Sequence, residues 1–112
     1  MTPEETVRTY FDSWKAKDFD RLRAILADDV TFTGPLGKAN GADECRAGIE
    51  GLSAIVTDVV VRQRFVDGDD VLTWFELHTT EAGPLQTANW SHVHNGKVDR
   101  IQVTFDPREL LR

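Results

Sequence analysis

Two stretches of this chain carry side chains suited to proton transfer. Trp74-Phe75-Glu76-Leu77-His78 and Trp90-Ser91-His92-Val93-His94 each place indole, carboxylate or imidazole groups at every second position. On an extended strand alternate residues share a face, so Trp74, Glu76 and His78 point together, as do Trp90, His92 and His94. If Ala82-Gly83-Pro84 closes a symmetric hairpin, Glu76 lies roughly opposite Trp90 and Trp74 lies near His92, all on one face. A carboxylate beside an imidazole fixes the ring's tautomer and favours the imidazolium formed on proton abstraction. Glu76 with His92 or His78 is therefore the candidate acid-base pair. Tyr10 offers a phenol donor to a developing oxyanion, while Trp14, Trp74 and Trp90 would stack on a flat apolar substrate and exclude water. Phe32, Ile101, Val103 and Phe105 are expected to line the same pocket. The same residues also have a plain structural reading, because half-buried His and Glu often only bond one another.

Other chemistry-bearing residues lead less far. His92, His94, His78 and Glu76 are donors that suit zinc, iron or nickel. His94 adjoins the Asn95-Gly96 turn and should meet solvent, so no metal and no other cofactor is expected. Cys45 falls in the apolar stripe of a helix with no activating base nearby and reads as a small core hydrophobe.

The elements that must position these groups follow from periodicity. Thr2-Pro3-Glu4-Glu5 is a helix start, with Thr2 as cap, Pro3 at the tolerant first position and Glu5 returning a bond. Val7, Tyr10, Phe11 and Trp14 then give it an aromatic face. Asp18 caps a second helix with Phe19, Leu22, Ile25 and Leu26 on its stripe, ending near Ala27-Asp28-Asp29. Val30 to Thr33 is a short strand stopped by Gly34-Pro35. Asn40 caps a third helix carrying Ala42, Cys45, Ile49 and Leu52, whose Gly48 and Gly51 suggest close backbone packing. From Thr57 the period changes to two, giving strands Thr57 to Val66, Val71 to Thr80, Leu85 to His94 and Val98 to Phe105. Turn signals at Asp67-Gly68, Gly83-Pro84 and Asn95-Gly96 make them an antiparallel meander. Arg108 to Arg112 is a short tail.

This order predicts an α+β fold, a cone-shaped curved antiparallel sheet wrapped around three N-terminal helices with an internal pocket. The polar residues Thr87, Asn89 and Ser91 on the other side of the third meander strand argue that the Trp-His face is the inner one. Val71, Phe75 and Leu77 argue the reverse, unless they pack against a second subunit.

The 112 residues form one expected domain, 1–112, with 40% hydrophobic and 29% charged residues, as in ordinary globular proteins. A net charge of −6 repels phosphate backbones and anionic lipids, which excludes nucleic acid and a membrane surface as expected partners. No apolar run approaches the roughly 20 residues of a membrane span, and the N-terminus lacks a signal peptide's pattern, so a cytoplasmic location is expected. The single cysteine agrees with a reducing compartment.

Val7-Arg8-Thr9-Tyr10-Phe11, Leu26-Ala27-Asp28-Asp29-Val30-Thr31-Phe32 and Asn95-Gly96-Lys97-Val98 with Val103-Thr104-Phe105-Asp106 resemble the nuclear transport factor 2-like superfamily, in its SnoaL-like and ketosteroid isomerase-like branch. The resemblance spans essentially the whole chain and implies the cone and a homodimer through the sheet. Beside ketosteroid isomerase, Tyr10 matches the oxyanion-hole tyrosine, whereas the general base would fall at Gly34 and the protonated acid at Trp90. Beside limonene epoxide hydrolase, Glu76 alone keeps a catalytic acid. The second aspartate would sit near Val103, and the water-holding Tyr and Asn near Thr31 and Thr33. Two functions follow: a cofactor-independent isomerase, lyase or hydrolase of a small hydrophobic molecule, or a non-catalytic ligand-binding or dimerising module.

Overall fold

The computed structural model describes residues 1–111; Arg112, the end of the expected tail, lies outside them. Helix α1 spans Pro3–Lys15 and starts as its sequence dictates. Glu5 N donates to Thr2 Oγ1 at 3.1 Å and Thr2 N donates to Glu5 Oε1 at 3.0 Å. Its aromatic face is buried: Phe11 meets Phe75 at 5.1 Å between ring centroids and Trp14 meets Phe75 at 5.8 Å, both edge-to-face. Trp14 Nε1 donates to Ser53 Oγ at 3.1 Å, tying α1 to the end of the third helix.

Helix α2, Phe19–Ala24, is capped by Asp18 as expected but stops sooner than its apolar stripe suggests. Leu26 already pairs with Val98, so sheet formation takes over what local periodicity would have kept helical. Strand β1 is correspondingly long, Leu26–Gly34, and turns back through β2, Gly37–Asn40. Asn40 therefore belongs to a strand and does not cap α3, Ala42–Leu52. Gly41 holds that position at φ 92°, a conformation few other residues adopt, without a side-chain cap. The expected close packing at Gly48 and Gly51 is absent, since a Cβ added at either would meet nothing within 4 Å.

The meander is β3 (Val56–Asp67), β4 (Asp70–Thr79), β5 (Leu85–His94) and β6 (Lys97–Thr104). Asn95 and Gly96 both take positive φ in the last hairpin, as their pairing predicts. The six strands run in the order β2-β1-β6-β5-β4-β3, with β1 parallel to β6. The sheet is thus mixed where a wholly antiparallel one was expected. It is curved and unclosed, with β-bulges in β3 and near His92 that bend the strands around the helices. A single 3₁₀ turn, Arg108–Leu110, follows the last strand. No helix among the described residues is long and apolar enough to cross a membrane.

Candidate functional site

The concave side of the sheet and the helices enclose a cavity of about 220 Å³. Helix α1 supplies Tyr10 and Trp14, α3 supplies Cys45, Gly48, Ile49 and Leu52, and the β1–β2 hairpin covers the mouth with Pro35, Leu36 and Lys38. The sheet contributes Phe32, Phe75, Leu77, Thr87, Asn89 and Val103, with Phe105 just beyond β6. Of the expected pocket residues, Tyr10, Trp14, Phe32, Val103 and Phe105 line this cavity. Ile101 is fully buried in the core but is not part of the wall.

The expectation that Glu76, His78, His92, Trp74 and Trp90 face inward is corrected. On β4 the buried residues are Val71, Thr73, Phe75 and Leu77, and on β5 they are Leu85, Thr87, Asn89, Ser91 and Val93. Trp74 and Trp90, 42% and 43% exposed, stand on the outer face with Glu76, His78 and His92. Phe75 fits against the aromatic face of α1. Thr87 and Ser91 tolerate burial because each hydroxyl finds a partner at once: Thr87 Oγ1 donates to Leu85 O at 3.0 Å and Ser91 Oγ to Asn89 Oδ1 at 2.6 Å. The polar appearance of the inner face of β5 was therefore the misleading signal.

The β4–β5 register also differs. Glu76 pairs with Gln86, four residues from the expected Trp90, and His92 lies opposite Asp70. The even displacement keeps all of these residues on one face but gives them other neighbours. Glu76 Oε2 accepts from Arg62 Nε and Nη2 at 3.1 and 3.0 Å, and its Oε1 lies 3.2 Å from His78 Nε2. Bonding to Arg62, followed by Gln86 and His78, holds the Glu76 carboxyl below its ordinary pKa, the reverse of what a general base working near neutral pH needs. The Glu76–His78 contact forms, whereas His92 pairs through Nδ1 with Asp99 Oδ1 at 2.6 Å. Trp90 Nε1 donates to Asp70 at 2.9 Å beneath the Arg100 guanidinium. No group of three or more metal-ligating side chains is gathered among the described residues.

Inside the cavity the polar groups are few. Burial pushes the Tyr10 phenol well above its ordinary pKa, reinforced by Cys45 and opposed by the nearby Asn89 amide. Burial likewise raises the Cys45 thiol to about 11, which leaves it protonated and inert at neutral pH. Gly34, where the isomerase resemblance would put a base, sits on the wall, and a Cβ there would come 3.1 Å from Phe32 Cε1. Asn89, Phe75, Leu77 and Cys45 are wall residues that the sequence reading left out. The apolar alternation of Val71, Phe75 and Leu77 was the signal that could have found the inner face.

A curved sheet folded over three helices with a cavity at its centre is the architecture of nuclear transport factor 2-like proteins. Within that class the chain belongs to the SnoaL-like domain family, whose model matches residues 7–104. Among solved structures, an NTF2-like protein of unknown function from Cytophaga hutchinsonii superposes with a TM-score of 0.91 at 22% identity, covering 100% of this chain and 96% of that one. An LEH-like epoxide hydrolase from M. tuberculosis gives 0.79 at 19% identity, over 96% and 84%. A de novo designed protein with a curved β-sheet gives 0.84 at 23%, over 95% and 86%. These likenesses concern the fold, and a fold does not by itself fix an activity. A search of curated proteins finds no match.

Proposed function

We propose that this protein binds a small, neutral, largely apolar molecule in its cavity and does not transform it by acid-base chemistry. The observation that supports this reading is the partition of the sheet: the carboxylate and imidazoles fit for proton transfer occupy the outer face, while the wall is aromatic and aliphatic. The size is informative too. An apolar cavity of about 150 Å³ holds benzene, and drug-sized ligands need roughly 300–1,000 Å³. At about 220 Å³ the ligand is a substituted single ring or an acyclic terpenoid of similar bulk. Among the described residues Lys38 is the only charged side chain of the wall and is exposed at the mouth, so an ionised ligand would find no counter-charge within.

Thermal-shift titration with p-cymene, acetophenone and benzoate tests the reading. The two neutral compounds should raise Tm by about 4 °C or more per tenfold excess over Kd, and benzoate should not. A panel of neutral monocyclic compounds that leaves Tm unmoved removes the ligand-binding function.

A second reading concerns the outer face, where Phe65, Leu72, Trp74 and Trp90 are exposed side by side. The occupant proposed for it is a second copy of the chain, which makes the protein a homodimer through the sheet. The buried, unpaired thiol of Cys45 is compatible with the cytoplasm, the compartment proposed for it.

A further inference from the structure

Of the four buried side-chain nitrogen and oxygen atoms without a hydrogen-bond partner among the described residues, one, Asn89 Nδ2, belongs to the cavity wall. Asn89 is 1% exposed, so bulk water does not solvate that amide. A buried donor left without a partner costs more than a typical hydrogen bond returns, and native structures seldom keep one without a purpose. The other half of the side chain is engaged: Oδ1 accepts from Ser91 Oγ at 2.6 Å, and Ser91 is not part of the wall. With Oδ1 turned to Ser91, the end of the amide left free is its NH2 donor. The Tyr10 phenol lies close enough to feel the amide but does not meet it as a hydrogen-bond partner, and the other neighbouring polar groups are engaged elsewhere. Thr87 Oγ1 is committed to Leu85 O, and Trp14 Nε1 to Ser53. Apart from the Tyr10 phenol, the wall around this donor is Phe75, Leu77, Phe32 and Ile49.

We propose that Asn89 is the specificity residue of the cavity, and that its Nδ2 selects ligands bearing one uncharged oxygen acceptor, such as a ketone, aldehyde or ester carbonyl, on a single-ring apolar body. The inference rests on the reading of the cavity as a ligand site and adds the chemistry of the ligand to it. A carboxylate would meet the same amide without a buried cation to neutralise it, which confines the class to neutral acceptors. A ligand without an acceptor fills the same volume and leaves the amide unpaired.

The probes are acetophenone and cumene, which share one heavy-atom skeleton and differ in a carbonyl oxygen against a methyl. Their different partitioning out of water cancels when the ratio of their Kd values is compared between the natural protein and Asn89→Leu. The ratio should move about tenfold in favour of acetophenone when Asn89 is present, the worth of one neutral hydrogen bond. A second measurement needs no variant: the Asn89 side-chain amide resonances of the natural protein should shift on adding acetophenone and respond differently to cumene. Binding of both compounds with one ratio in both proteins, or identical amide responses, overturns the role of Asn89 and leaves the ligand-binding function standing. That is also the result if a water held between Asn89 and Thr73 Oγ1, which is likewise unpaired and lies across the β4–β5 ladder, satisfies the amide permanently. Failure of both compounds to bind the natural protein overturns both readings together.

Discussion

The residues that matter most to the cavity are the ones whose chemistry is muted by burial, and Cys45 makes this measurable. Its thiol titrates near 11 in the folded protein against an ordinary 9.0, because the apolar surroundings disfavour the thiolate. A raised pKa on an acid that is neutral when protonated gives stability that is whole below pH 9 and drains away between pH 9 and about 11, where only the unfolded chain ionises. Tyr10 adds in the same direction at higher pH. Cys45→Ala should therefore flatten the alkaline fall in unfolding free energy, by up to about 1.4 kcal/mol per pH unit within that window, whatever constant cost the missing sulfur adds. Urea titrations of both proteins from pH 8 to 11 give the slopes, and parallel slopes would show a thiol that ionises as freely in the fold as outside it. At this scale the sequence was legible for Tyr10, Trp14, Phe32, Val103 and Phe105, all of them large apolar bodies at core spacing. Asn89 was not legible, because a buried amide and a solvated one are the same letter. The packing of Phe75 on Phe11 and Trp14 shows which face of the sheet is inside.

Among the elements, α1 could be read to the atom, since its cap, its first proline and its aromatic stripe all point one way. The β4–β5 face could not, because β4 carries large side chains on both sides while β5 buries a mostly polar face, and alternation does not say which side the helices cover. Helix α3 lies between these cases: its stripe was right, while the reason for its glycines was not. Gly48 opens onto the cavity and Gly51 does not, and neither touches another backbone. Gly51→Ala should accordingly gain about 0.5–1 kcal/mol of stability from helix propensity and leave ligand binding as it was. Gly48→Leu should keep the propensity gain and place a branched side chain in the ligand's space, weakening p-cymene or acetophenone at least tenfold. Chemical denaturation and calorimetric titration on the two variants separate these effects. Equal binding by both would mean that the ligand sits elsewhere than beside α3.

For the molecule as a whole, the two faces of one sheet present different surfaces. The inner face closes on helices, whereas the outer face shows Phe65 opposite Leu72, and Leu72 opposite Trp90, with Trp74 alongside. Polar pairs surround that band: the ion pairs of Arg62 with Glu76 and Arg100 with Asp70, and the hydrogen-bonded pair His92 with Asp99. An apolar, aromatic centre within a charged rim is the anatomy of a protein interface, and a monomer gains nothing from exposing it to water. The bend that makes the cavity also makes this surface convex, so the proposed second copy would meet it along the band and not over the whole sheet. Leu72, at the centre, is the position where a charge hurts association most and the monomer least, since its cross-strand neighbours Phe65 and Trp90 are themselves exposed. Leu72→Lys should halve the mass seen by light scattering at tens of micromolar protein, with Tm of the separated subunit set by the monomer alone. The cavity lies across the sheet, so its affinity for acetophenone should survive the change. A natural protein that already sediments as a monomer would leave the tryptophans without this partner, and loss of binding in Leu72→Lys would mean that the two faces are coupled through β4.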